Sequence, residues 1–126
     1  MISKKLKSKG IFIGTATDGD LIKQNLKNTP DITKSAINLK YISVDMYEFS
    51  LNSEKTSRET YFEYRGVSRE YYLSKAFLIE KCKEFNMYPV SILSFREWNS
   101  AYTGMRLSKE EMACSFLNFS FVFQKY

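Results

Sequence analysis

Residues 21–42 constrain the fold more than any other stretch, because a helical pattern stops and an alternating one begins within them. Leu21, Ile22 and Leu26 share a helical face, and Asn28-Thr29-Pro30-Asp31 interrupts the run. Thr29 offers a capping hydroxyl, Pro30 suits a first helical position and Asp31 complements the helix dipole. A second helix is therefore predicted over residues 32–40, with Ile32, Ser35, Ala36 and Leu39 on one face and Lys34, Asn38 and Lys40 facing outward. Thr33 is the alternative cap, which would shorten that helix to residues 34–40. From Tyr41 the period is two: Ile42, Val44 and Met46 alternate with Tyr41, Ser43, Asp45 and Tyr47. Residues 41–51 and 56–65 read as a hairpin closed by Asn52-Ser53-Glu54-Lys55.

Around this centre the remaining elements are less sharply defined. The apolar run at residues 10–15, bounded by glycines, predicts a short strand leading from a basic leader, residues 1–9, which carries four lysines and no acid. Asp18 reads as the N-cap of a helix through residue 27 in preference to a hairpin turn. Ser68 is expected to cap a long amphipathic helix to about residue 86, broken by Met87-Tyr88-Pro89. A shorter helix follows over residues 91–102, with Gly104 at its end. Ser108 and Glu111 form a capping box, so a third helix should start at Lys109 and reach at least Leu117. The tail, residues 118–126, suits a helix through Phe116, Phe119 and Phe123 or a strand through Phe119, Phe121 and Phe123, and the helix is preferred. The expected fold is a single compact α+β domain over residues 1–126. In it a helix-turn-helix-like pair with a β-hairpin, residues 10–66, packs on a C-terminal three-helix unit, residues 67–126.

Histidine is absent, which removes the commonest general base and zinc ligand, and the two cysteines are too few and too distant for a zinc site or a disulfide framework. Neither a signal peptide nor a bilayer-length apolar run is present, so a cytoplasmic protein with no membrane partner is expected. Gly14-Thr15-Ala16-Thr17-Asp18-Gly19 lacks the Gly-Lys-Ser/Thr ending of a phosphate loop and reads as a turn. Asp31 with Glu63-Tyr64-Arg65 is set aside as a nuclease pattern, since Arg65 stands where a lysine would have to be and Asp31 is already explained as a cap. The chain is therefore expected to be no enzyme and to need no cofactor. Aromatic residues make up 16% of it; Phe95, Trp98 and the run 116–123 are assigned to the core, the alternative being a partner-binding surface.

The order helix, turn, helix, hairpin, with Thr33-Lys34-Ser35-Ala36-Ile37 opening the second helix, resembles the winged helix-turn-helix DNA-binding proteins. It departs from them where Asn28-Thr29-Pro30-Asp31 lacks the glycine of the tight turn, which leaves the crossing angle of the helices open. The resemblance implies a major-groove helix with Thr33, Lys34, Asn38 and Lys40 on its outward face, and Lys55 and Arg58 on the wing at the phosphates. The expected function is non-enzymatic binding of double-stranded DNA by a small regulatory or accessory factor working as a homodimer. The alternative is an interaction or inhibitor protein that holds a protein partner through an aromatic surface. A third reading is single-strand binding through Tyr47, Tyr61 and Tyr64.

Overall fold

A computed structural model describes residues 2–27, 29–34, 37–51, 67–104 and 107–126. A short helix α1 (Ile2–Lys5) precedes strand β1 (Ile11–Thr17) and helix α2 (Gly19–Leu26). Strands β2 (Asp31–Lys34), β3 (Ile37–Tyr41), β4 (Met46–Leu51) and β5 (Ser68–Tyr71) come next. Then come α3 (Lys75–Lys83), β6 (Met87–Ser94), α4 (Phe95–Ala101), α5 (Lys109–Ser115) and β7 (Asn118–Lys125). The strands form two antiparallel sheets, β1-β7-β6 and β2-β3-β4-β5.

The chain is α+β, but neither the helix-turn-helix pair nor the C-terminal three-helix unit forms. Residues 32–40, expected as the recognition helix, lie in β2 and β3, where Asp31 pairs with Lys40 and Lys34 with Ile37. Ile32, Thr33 and Ile37 are β-branched, stiff at χ1 and better suited to a pleated surface than to a helix. A helix here would have buried one small residue for each large one, whereas β3 buries both Ile37 and Leu39. Pro30 opens no helix; its carbonyl accepts the Tyr41 N–H at 2.7 Å and closes the hairpin. Ser68 begins a strand, and the cap of α3 is Ser74, whose hydroxyl accepts the Phe77 N–H. Met87-Tyr88-Pro89, expected as a break, starts β6. The tail is β7, because alternation sends Phe119, Phe121 and Phe123 together into the core. Residues 56–65, the second strand of the expected hairpin, lie outside the described residues.

Other elements match their local signals: α2 is capped by Asp18 and α5 by the Ser108–Glu111 box. Two apolar clusters result. Ile22 and Leu26 of α2 pack on Ile37, Leu39 and Tyr47, with Leu117 closing the cluster. Phe119, Phe121 and Phe123 pack with Cys82 and Met87 beneath α3. Burying each phenylalanine contributes about 2–3 kcal/mol. Phe121 sits so close to β1 that a Cβ on Gly14 would fall 2.4 Å from its ring, so only glycine fits there. Among the described residues, no helix is long and apolar enough to cross a membrane.

Candidate functional site

The two sheets meet where β1 turns into α2, and there the polar side chains converge. Asp18 is buried; its carboxylate accepts the N–H groups of Asp20 and Leu21 and lies 3.4 Å from Lys75 Nζ. Its own N–H donates to the Leu117 carbonyl, and the next N–H, of Gly19, donates to the Leu73 carbonyl. A Cβ at Gly19 would stand 2.5 Å from the Leu73 nitrogen, so this crossing is as close as backbones permit. Thr17 Oγ1, at the end of β1, donates to Asn118 Oδ1 at the start of β7.

Beside this junction the inner face of the second sheet carries one carboxylate, Glu70 of β5. It accepts the Tyr47 hydroxyl at 2.9 Å and the Ser68 hydroxyl at 3.2 Å. Glu70 and Tyr47 are opposite each other in the β4–β5 register, which fixes both on one face. Burial, then the hydrogen bond to Glu70 and its negative charge, hold the Tyr47 hydroxyl protonated far above the usual phenol range. The Tyr72 ring lies 5.0 Å from that of Tyr47, with Lys23 Nζ 5.0 Å from its centroid. Burial, then the neighbouring Tyr41, also push the Tyr72 hydroxyl upward. A groove of about 750 Å³ opens here between α2 and the β3–β4 turn, with Tyr41 and Tyr72 among its walls and Lys23 and Lys27 among its cations. Such a surface offers aromatic faces, fixed positive charge and a held carboxylate within one cleft.

The expected DNA-contacting residues are placed differently. Thr33 and Lys34 stand on β2, in register with Asn38 and Ile37 of β3. Asn38 donates to Ser50 Oγ at 3.3 Å, and its Oδ1 is buried without a partner. Lys40 belongs to a row of charges crossing the outer face in register: Asp31, Lys40, Glu48 and Arg69, with Arg69 and Glu48 paired at 3.0 Å. Opposite charges next to one another leave no net positive stripe there. Lys55 and Arg58 lie outside the described residues. Trp98, assigned to the core, is 52% exposed and donates from Nε1 to Ser120 Oγ at 2.7 Å. Glu70 went unnoticed because Ser68 reads as a helix cap; the alternation Ser68-Glu70-Tyr72 on one face was the signal for it.

No known protein family and no curated protein matches the sequence. In fold the chain is similar to an S-adenosylmethionine-dependent methyltransferase from Clostridium acetobutylicum ATCC 824, with a TM-score of 0.54 and 12% identity. That likeness takes in 98% of this chain and 48% of the other, so the chain spans about half the length of the structure it matches. It overturns two expectations: the fold is not that of a winged helix-turn-helix protein, and it is one found in an enzyme, not in a protein without catalytic chemistry.

Proposed function

We propose that the chain forms the acceptor-binding part of an S-adenosylmethionine-dependent methyltransferase. The observation that carries this reading is the likeness along 98% of the chain, together with a cleft whose carboxylate and aromatic walls suit an acceptor. The groups present do not suit the methyl donor itself. Its amino-acid carboxylate needs free backbone N–H groups, commonly at a helix N-terminus reached through a glycine loop. Here the first amides of α2 are already taken by Asp18 and by Leu73, and the Asp18 carboxylate would repel a second anion. Gly14 and Gly19 lie against Phe121 and Leu73, so they serve packing and not a ligand.

What these residues do is position an acceptor. Glu70 is pinned at both oxygens, by Tyr47 and by Ser68, and each oxygen retains a further lone pair for an acceptor N–H or O–H. A carboxylate so placed orients the nucleophile and takes up positive charge or a proton as it reacts. Tyr41 and Tyr72 give a flat acceptor two faces to lie on, and Lys23 and Lys27 favour one that carries negative charge.

The test is Glu70→Gln at the native locus, followed by transfer of tritium from [methyl-³H]S-adenosylmethionine in cell extract, resolved into nucleic-acid, protein and small-molecule fractions. Incorporation into one fraction should fall at least about tenfold, the scale of losing one orienting charge. Lys40→Ala on the outer face should leave every fraction unchanged. Equal incorporation in the wild type and Glu70→Gln strains would sink the reading.

A further inference from the structure

We infer that β1 and the sheet face it carries are the seat of a second α/β unit, the donor-binding half of the fold, which adds a strand to β1 and lays an apolar helix over Ile13. This rests on the methyltransferase reading above, and three observations lead to it.

The first is the edge. Sheets protect their edges with charges, prolines or bulges. Asp31 and Lys34 lie on β2, Arg69 and Glu70 on β5, and β6 has Pro89 with a break in register beside it. β1, Ile-Phe-Ile-Gly-Thr-Ala-Thr, has no such device, and among the described residues only β7 pairs with it.

The second is the face. Phe12, Gly14 and Ala16 are in register with Phe123, Phe121 and Phe119 and point into the core. The other side of β1 presents Ile11 and Ile13, and Ile13 is 69% exposed beside Val122. An antiparallel sheet with one wet side carries polar residues there. The other sheet of this molecule obeys that rule with its row of Asp31, Lys40, Glu48 and Arg69. The bare face continues through Thr15 and Ser120 into a groove of about 730 Å³ walled by Trp98 and Phe116, wide enough for large apolar side chains.

The third observation says what covers it. The chain accounts for 48% of the methyltransferase it matches, and its own residues offer no cradle for the donor. An unprotected edge next to a bare apolar face is what remains when an α/β sheet is described without its neighbouring strand and helix.

The experiment places the photo-cross-linker p-benzoylphenylalanine at Ile13 in the natively expressed protein, and separately at Lys40 as a control. Extract is first photolabelled with [methyl-³H]S-adenosylmethionine, then irradiated for cross-linking. The Ile13 adduct should join residues 1–126 to a polypeptide segment outside them that carries the tritium label, at a yield at least tenfold above the Lys40 control. Three outcomes overturn the inference: a cross-link between two copies of residues 1–126, an adduct without label, or no adduct above the control. The Glu70→Gln experiment judges the methyltransferase reading independently, since Glu70 lies on the other sheet.

Discussion

Replacing Tyr47 with phenylalanine removes one hydroxyl from a ring that is 1% exposed, and nothing else. At pH 7 the loss is one hydrogen bond to a carboxylate, which contributes about 1.5–3 kcal/mol. Glu70 keeps Ser68 and some access to solvent, which argues for the lower end, about 1.5 kcal/mol and a fall in Tm of roughly 5–8 °C. The pH dependence is the sharper test. In the native state the Tyr47 hydroxyl titrates far above the ordinary value of 10.0, which it regains on unfolding. Its stabilising contribution is therefore fully present below pH 10 and is lost as the pH rises past it, by about 1.4 kcal/mol per unit. Tyr47→Phe lacks that dependence, while every other tyrosine is common to both proteins. Urea unfolding followed by Trp98 fluorescence should show a gap of about 1.5 kcal/mol at pH 7 that closes almost to zero near pH 11. A gap that stays constant from pH 9 to pH 11 would refute the buried, carboxylate-bound hydroxyl.

Gly14→Ala forces the Phe121 ring aside and should cost about 1–3 kcal/mol by urea unfolding; combining it with Phe121→Leu should cost less than the two changes summed. Asp18→Ala removes the cap of α2 and should cost roughly 1–2 kcal/mol by thermal melting, whereas Lys75→Ala, whose partner contact is half open to water, should cost under about 1 kcal/mol. Trp98→Ala should cost well below the roughly 3–5 kcal/mol of a buried tryptophan; a loss in that range would return the ring to the core. Cys82 and Cys114, whose thiols burial pushes upward, should react with iodoacetamide at pH 8 far more slowly in the native protein than in urea.

Where a few neighbouring residues decide an element, the sequence could be read. Asp18 before α2 and Ser108 with Glu111 before α5 are caps whose hydrogen bonds close within three residues. Strands chosen by distant partners could not be read the same way. Residues 32–40 support a plausible helical stripe, and only pairing with β4 sends Ile37 and Leu39 to a common interior. The tail was left between helix and strand because both patterns use Phe119 and Phe123; Phe121 decides, since it packs against Phe12, more than a hundred positions earlier. The candidate site was hidden for the same reason, as Tyr47 and Glu70 meet through the β4–β5 register and no local motif joins them.

The pairing of β1 with β7 also sets a timetable for the nascent chain. Thr17 and Asn118 bond across 101 positions, and closing a loop of that length costs about 4 kcal/mol in chain entropy before any contact is gained. The hairpins of β2, β3 and β4 are local and can form while synthesis continues. Ile11, Phe12 and Ile13 must instead wait for β7 to be made, roughly 5–20 s at ordinary translation rates. Throughout that interval the strand with the least protected edge has no partner at all. Production of this protein should therefore depend on holdase chaperones that cover an apolar N-terminal strand, and slowing translation late in the message should lower its soluble yield.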